Sequence, residues 1–299
     1  MTVAIDLELL RRQPQIAPAG WLAAVGRSAR RNPVGAAAGL VCILLVVVAI
    51  LGPRIAPYPA DRVGFARLQA PSLTHPFGTD NLFRDIFSRI VVGSRNSLGV
   101  GFASVAIAMA IGVVLGVTSG YLGGWWDLLT SRMIEVLLAY PAIVFVIFFL
   151  SVFRPSFTSV CLAIGLVLTP GTTRVVRGAT IAVRHQPYLD AALVLGRGPL
   201  GIMYHHVLPN VMAPIIVVAS IQIGIAILAE ATISFLGLSI SSAANPSWGR
   251  MLQETRPVWQ AAWWTAVVPG AAISAAVLCF NLFGDALRDA LDPRLRGTR

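Results

Sequence analysis

Six runs of mostly apolar residues are the feature that most restricts how this chain can fold. A helix needs about 20 such residues to cross the hydrocarbon core of a bilayer. Strands of a membrane barrel would alternate apolar and polar residues, and these runs do not. The sequence therefore predicts an all-α integral membrane protein with six transmembrane helices. The approximate bounds of the runs are 33–53, 97–121, 128–153, 156–173, 207–236 and 261–283.

The composition supports a bilayer as the natural solvent of the chain. Hydrophobic residues make up 56% of it and charged residues 12%, whereas about 25% of the residues in a soluble domain are charged. The net charge is +10, and the basic residues lie beside the apolar runs. This arrangement favours contact with anionic lipid headgroups. Because no basic stripe with interleaved aromatic residues is present, nucleic acid is not expected as a partner.

The residue types argue against several kinds of catalysis. A nucleotide-hydrolysing P-loop needs a Lys, and the sequence contains no Lys. The three Cys lie inside apolar runs and the four His lack the spacing of metal ligands, so no metal site is predicted. All four His lie outside the apolar runs, so an intramembrane serine protease would lack its base. We do not expect this chain to be an enzyme.

A polar stretch, Arg174–Asn210, interrupts the apolar runs. Its residues predict a short helix at Tyr188–Leu195, a glycine turn at Gly196, and a second short helix at Gly201–Val207 that stops at Pro209. Such a feature is too polar to insert into lipid and too structured to be a linker. We interpret it as a docking surface for a cytoplasmic partner.

The preference for Arg on the cytoplasmic side sets the expected orientation. With both termini in the cytoplasm, 14 of the 23 Arg lie on that side. The predicted divisions are a cytoplasmic segment 1–32, a first span 33–53, an external loop 54–96, a five-helix core 97–286 that contains the loop 174–210, and a cytoplasmic tail 287–299.

The polar stretch also carries a motif. It reads Asp190-Ala191-Ala192, three residues, Gly196, a gap of ten residues, and Val207-Leu208-Pro209. This pattern resembles the EAA loop of ABC-importer permeases, although Asp190 stands where that family usually has Glu. In the family this loop is the coupling helix that seats in a groove of the ATP-hydrolysing subunit. The resemblance thus implies that these seven residues couple the chain to an ATPase.

Further stretches resemble one branch of those permeases, which carries dipeptides, oligopeptides or nickel, and within it the C-type subunit. These are RRNPVG (30–35), HPFGTDNLFRDIFSRIVVGSRNSL (75–98), EATISFLGLSISSAANPSWGRML (230–252) and NLFGDALRDALDPRLR (281–296). The resemblance covers about residues 30–297. It implies the type I importer permease fold in a bacterial inner membrane.

The same resemblance implies the function and the partners. We expect a subunit that moves short peptides by alternating access and works with a second homologous permease, two ATP-binding subunits that hold ATP and Mg²⁺, and an external substrate-binding protein. Nickel chelates or another small solute are an alternative cargo. A stand-alone ion-coupled carrier is a weaker alternative, since no convincing inverted repeat is seen and a coupling loop would have no purpose in it.

Two carboxylates lie within the apolar runs, where an ionisable group is costly and often functional. Glu135 has Arg132 three residues before it, so an ion pair or snorkelling to the interface would explain it. Glu230 has two interpretations: it holds the turn Ser234–Leu238, or, together with Ser234 and Trp248, it lines the translocation pathway or forms its outer gate. Trp248 itself is either an interfacial residue of an outer turn or part of a loop that dips toward the pathway.

Overall fold

The structure is a computed structural model that describes residues 32–238 and 241–291. Those residues form helices joined by loops, with no β-strand among them. The helices are α1 Pro33–Ile55, α2 Ile86–Leu122, α3 Gly124–Leu138, α4 Ala142–Val152, α5 Phe157–Arg184, α6 Pro187–Val194, α7 Pro199–Ile202, α8 Leu208–Asn210, α9 Met212–Phe235, α10 Trp248–Thr255 and α11 Trp264–Leu291. A π-helical turn, Met203–Val207, joins α7 to α8. Almost all of the predicted segment 1–32 and residues 292–299 of the predicted tail lie outside the described residues.

The predicted all-α membrane architecture is confirmed. Within the described part of the chain, α1, α2, α5, α9 and α11 are long and apolar enough to cross a membrane. The pair α3 and α4 meets the same condition when it is taken as one span, which gives up to six crossings. Each of the six apolar runs therefore corresponds to one helix or one broken helix.

The third span is not the continuous helix that its apolar run suggests. The axes of α3 and α4 are bent by 86° at the break between them. Pro141 precedes α4 and has an extended ψ of 130°. A proline disfavours the helical conformation of the residue before it and has no N–H to donate, so the helix ends before it and restarts in a new direction.

Three helices extend well beyond the runs that predicted them, and one of these is α11, which was placed at 261–283 but continues to Leu291. The second span was placed at 97–121, but α2 begins at Ile86, because the Asp85 carboxylate caps it by accepting a hydrogen bond from the Ser88 N–H at 2.8 Å. The 37 residues of α2 measure about 55 Å, more than the hydrocarbon core of about 30 Å. The fourth span was placed at 156–173, but α5 continues to Arg184.

The most extensive helix–helix contact is that of α2 with α5, and three glycines on α2 make it possible. Gly112, Gly116 and Gly120 are four residues apart and share one helix face. A Cβ added at any of them would lie 2.6 to 2.8 Å from a Cβ atom on α5. Small residues at this spacing let backbones approach closely in lipid, where no hydrophobic force drives helices together. Bundle packing thus explains these glycines.

We predict that Gly116→Ala destabilises the protein. The added methyl would lie 2.8 Å from the Val176 Cβ and 2.9 Å from the Thr173 carbonyl oxygen, so α2 and α5 would have to separate. Overpacking of this kind costs about 1–3 kcal/mol of the free energy of unfolding. The midpoint of thermal unfolding in detergent measures the loss. Gly178→Ala on α5 is the control, since a Cβ there meets nothing within 4 Å; an equal loss in both variants would contradict the prediction.

Candidate functional site

The first short helix of the polar stretch is α6, which lies where the sequence predicts it. Pro187 occupies the first turn, and Asp190 also lies in that turn, where its carboxylate suits the positive end of the helix dipole. The helix ends at Gly196, whose φ of +79° is in the left-handed region. The Arg197 N–H donates to the Ala192 carbonyl oxygen at 3.1 Å and closes the helix end. Glycine is the residue that adopts this conformation without strain.

The second short helix differs from its prediction. The chain was expected to leave the helical conformation at Pro209, but the helical path continues through α7, the π-helical turn and α8 as far as Asn210. The Leu208 N–H donates to the Met203 carbonyl oxygen, five residues earlier, which is the pattern of a π-helix. This wider turn lets the path include Pro209, which would otherwise clash with the preceding turn. We call residues 187–210 the 187–210 segment.

One side of the 187–210 segment is packed against the ends of α2 and α5. Its buried apolar side chains join a cluster with residues of those helices and with the start of α9. This contact fixes the segment to the bundle through apolar side chains rather than through a flexible tether. The members of the cluster are Val117, Val176, Leu189, Ala192, Ile202, Met203, Val207, Val211 and Ile215.

The other side of the segment exposes apolar side chains. The exposed fraction is 87% for Val194, 84% for Leu195, 79% for Leu200 and 68% for Tyr204. Apolar side chains that are exposed in this way are typical of a surface that another protein or the membrane covers. We call these four residues the apolar ridge.

The structure divides the seven residues of the motif between these two sides. Ala192 and Val207 are buried and hold the segment to the bundle, and Leu208 is half-buried. The remaining four, Asp190, Ala191, Gly196 and Pro209, are exposed on the segment.

Glu230 lies at the opposite end of the bundle and is 1% exposed. Its carboxylate accepts hydrogen bonds from the Ser234 hydroxyl at 2.7 Å and the Ser97 hydroxyl at 3.2 Å. The Ser97 hydroxyl oxygen in turn accepts from the Trp248 backbone N–H at 3.1 Å. Glu230 therefore joins α9, α2 and the start of α10, which favours the interpretation that it holds the local structure.

Trp248 is not the interfacial residue of an outer turn. It begins α10, a helix that the sequence analysis missed, and it is 1% exposed. Its indole N–H donates to the Ile90 carbonyl oxygen at 3.0 Å. The next residue, Gly249, allows the close approach, because a Cβ there would lie 2.5 Å from the Ala231 carbonyl oxygen. The loop thus dips into the bundle and packs against α2 and α9.

A cluster of charged residues that the sequence analysis did not single out lies beside α10. The Arg84 guanidinium donates to Asp80 at 2.7 Å and to Glu254 at 2.6 Å, and Arg89 donates to Glu254 at 2.9 Å. Arg84 and Arg89 are 3% and 1% exposed. Arg250 completes the set with a bond to Glu254 at 3.0 Å. The i, i+4 spacing of Asp80 with Arg84, and of Arg250 with Glu254, is the only signal in the sequence that could have indicated this cluster.

The cluster controls the charge of Glu254. Burial raises the pKa of the Glu254 carboxyl, but the positive charges of Arg89 and Arg84 outweigh that effect, and the pKa lies below its usual range. The carboxylate is therefore ionised at neutral pH. Its contribution to stability is present above the pKa of the unfolded chain, about 4.3, and is lost as the pH falls through the lower pKa of the folded state.

The predicted interaction of Glu135 is present. Its carboxylate lies 2.6 Å from the Arg132 guanidinium, and both side chains are largely exposed. A second ion pair on this part of the bundle joins Asp127 on α3 to Arg177 on α5, with Arg177 Nη2 2.7 Å from the Asp127 carboxylate. Neither acid is isolated in the apolar interior.

Comparison with known proteins gives the following likenesses. Residues 112–297 match the family described as binding-protein-dependent transport system inner membrane component, and residues 21–71 match the N-terminal TM domain of oligopeptide transport permease C. The dipeptide transport system permease protein DppC of Alkalihalophilus pseudofirmus is 41% identical over 89% of this chain and 88% of its own length. The glutathione transport system permease protein GsiD of Escherichia coli is 41% identical over 91% of this chain and 90% of its own length.

A solved structure shows the same fold. A chain of the MetNI methionine ABC transporter in an inward-facing form superimposes with a TM-score of 0.56 and 16% sequence identity. The match covers 68% of this chain and 96% of that one. The predicted ABC permease fold is thereby confirmed.

We predict that Glu254→Ala strongly destabilises the protein. The substitution would leave Arg84 and Arg89 buried without their shared carboxylate, and breaking a buried ion pair in this way costs about 3–5 kcal/mol. Thermal unfolding in detergent measures the effect. Glu135→Ala is the matched control, because it breaks an exposed pair and should cost less than about 1 kcal/mol. A small, equal loss in both variants would show that the cluster contributes little.

Proposed function

Since the chain belongs to the family of binding-protein-dependent transport system inner membrane components, we propose that it is a membrane-channel subunit of an ATP-driven importer of short peptides. The relatives that support this substrate class match almost the whole chain. One is a dipeptide permease and the other a glutathione permease, and glutathione is itself a short peptide.

The partners follow from the family. Its members work within ABC importers alongside ATPase and substrate-binding subunits. For this chain we propose a second homologous permease, two ATP-binding subunits and an external binding protein. ATP and Mg²⁺ would bind to the ATP-binding subunits, since the sequence contains no Lys with which to form a P-loop. The chain itself would be a translocation subunit and not an enzyme.

The chain is a multi-pass membrane protein of an inner-membrane family, and its orientation is part of the proposal. We place the 187–210 segment and both termini in the cytoplasm, and α10 with the loop before α2 on the external side. The distribution of Arg along the chain supports this orientation, because Arg is favoured on the cytoplasmic side.

The observation that carries the proposal is the two-sided build of the 187–210 segment. Its packed side fixes it to α2, α5 and α9, and its apolar ridge is uncovered. We propose that an ATP-binding subunit covers the ridge and that Asp190, Ala191 and Gly196, which are exposed next to it, lie in the same contact. Because the segment is packed firmly on the bundle and exposes an apolar surface for a partner, it is suited to transmit a movement of that partner to the transmembrane helices.

The mechanism we propose is alternating access. A partner shifts a conformational equilibrium only by as much as it binds one state better than the other. When ATP draws the two ATP-binding subunits together, the segment would move with the subunit that holds it. Because the buried side chains of the segment pack on α2 and α5, the movement would tilt these helices rather than bend a loop.

For the external end we propose a gate. Glu230, Ser234 and Trp248 are all buried, so they fasten α10 to α9 and α2 rather than line an open pathway. Opening that end would require the hydrogen bonds around Ser97 and Glu230 to rearrange. The three residues would then affect transport by determining how stable the closed state of the gate is.

Site-directed crosslinking tests the proposed function. In the assembled complex, Ala191→Cys on the exposed side of α6 should crosslink to an ATP-binding subunit. Leu73→Cys is the control, since Leu73 is fully exposed in the loop before α2, at the other end of the bundle, and should crosslink to no ATP-binding subunit. The proposal is wrong if residue 191 captures no such subunit, or if a membrane-impermeant thiol reagent reaches it from outside intact cells.

A charge placed on the apolar ridge should uncouple transport. Leu195→Asp would put a carboxylate into the contact with the ATP-binding subunit, and a central contact of this kind is worth about 2 kcal/mol or more. Uptake of a dipeptide should fall at least about tenfold, while the amount of the chain in the membrane stays normal. Leu73→Asp should leave uptake unchanged. Normal uptake by Leu195→Asp would exclude the ridge from the coupling contact.

Exchange of Glu230 for Gln distinguishes a role of this residue in the gate from a role in the translocation pathway. Gln retains a carbonyl oxygen that accepts from the Ser234 hydroxyl, so we expect uptake of a cationic dipeptide to remain within about twofold of normal. Glu230→Ala removes the acceptor and should cost about 1–3 kcal/mol of stability. If Glu230→Gln selectively lowers uptake of cationic peptides while neutral peptides are carried normally, Glu230 attracts the substrate and lines the pathway.

A further inference from the structure

A groove between α1 and α2 has a cavity volume of about 350 Å³, which is within the range of small-molecule sites. Its wall is apolar except for one charged residue, Arg95. The remaining lining residues are Val46, Ala49, Ile50, Leu98, Gly99 and Phe102.

Two arginines on the long helices, Arg89 and Arg177, have an acidic partner, and Arg95 does not have one among the described residues. Arg89 donates to Glu254 and Arg177 donates to Asp127. The Arg95 side chain is exposed in the groove, and among the described residues no acid lies within ion-pair distance of it. A cation that lacks a protein carboxylate and lines a cavity is free to bind an anion from outside the chain.

The position of Arg95 along α2 places it at the membrane surface. From Asn96 to Leu122 the helix carries no charged residue, and at 1.5 Å per residue this stretch is about 40 Å long, enough to cross the hydrocarbon core. Arg95 therefore stands at the boundary between the core and the headgroups, at the same end as α10. The apolar groove residues Leu98 and Phe102 follow it one and two turns deeper.

The groove faces away from the proposed gate. Gly93 and Ser97 lie on the side of α2 that meets Trp248, and Arg95 is about 160–200° around the helix from both, at 100° per residue. The α1 wall beside the groove continues into exposed apolar residues, which is typical of a surface in contact with lipid. These residues are Leu40, Ile43, Leu44, Val47, Ile50 and Leu51.

We propose that this groove binds an anionic phospholipid, with the headgroup phosphate on the Arg95 guanidinium and an acyl chain along the apolar wall. The planar guanidinium matches phosphate oxygens with two parallel hydrogen bonds. A free phosphate would gain nothing from the exposed side chains of Ile50 and Phe102, whereas a lipid in the surrounding bilayer supplies both the charge and the chain. The site requires only that α1 and α2 span the membrane, so it does not depend on the importer proposal.

Native mass spectrometry of the purified complex tests this site. The complex would be released from nanodiscs that contain phosphatidylglycerol and phosphatidylethanolamine, and the retained lipid would be counted. We expect one phosphatidylglycerol to be held in preference, and Arg95→Gln to weaken its binding about tenfold, as the loss of a charge-assisted hydrogen bond implies. Arg54→Gln is the matched control, because it removes an exposed charge at the end of α1 but not from the groove, and it should retain the lipid.

A second variant fills the groove and keeps the charge. A Cβ at Gly99 meets only the Phe157 ring, at 3.7 Å, which is an ordinary contact, and Gly99 lines the groove, so we expect the side chain of Gly99→Leu to occupy the place of the acyl chain. It should lower phosphatidylglycerol retention in the same way as Arg95→Gln. Retention that is unchanged in both variants would overturn the proposal. So would equal losses in Arg95→Gln and Arg54→Gln, which would indicate surface charge alone, and so would a photocrosslink from position 95 that captures a second permease instead of lipid.

Discussion

The close approach of α2 and α5 is the contact on which the rest of the structure depends. In lipid, helices gain little from burying apolar surface, so they are held by packing between small residues. The stripe of Gly112, Gly116 and Gly120 provides that packing over two turns of α2. Where the stripe ends, Val117 and Val176 begin the cluster that carries the 187–210 segment. The segment is therefore mounted on the helix pair with the most extensive contact in the bundle.

The two ends of the bundle are built differently, and the proposed function depends on the difference. At the end that contains α10, buried charges and hydroxyls bind to one another across α2, α9 and α10, so the end is closed by contacts within the chain. At the end that contains the 187–210 segment, apolar side chains such as Leu195 and Leu200 are uncovered. An end that is closed by its own contacts needs energy to open, and we propose that a partner that covers the exposed end supplies that energy.

The sequence allowed the spans, the short helix α6 and the Gly196 turn to be predicted, because each depends on local physics: the length of an apolar run, or the conformational freedom of glycine. It did not allow the start of α2 to be predicted, since the start is set by the Asp85 cap and not by hydropathy. It also missed α10 and the charged cluster. Arg84 and Glu254 are 170 positions apart, and no local pattern in a single sequence indicates such a contact.

The π-helical turn bears on how the segment and the proposed gate would act together. It keeps the chain helical through Pro209 up to the buried Val211, directly before α9. A loop at this place would absorb a displacement of the segment, whereas a nearly continuous helical path would pass it to α9. Near the other end of α9 stands Glu230, about 27 Å away for 18 residues from Met212 at 1.5 Å per residue. In the proposed mechanism, α9 thus joins the surface that would receive force to the hydrogen bonds that hold α10.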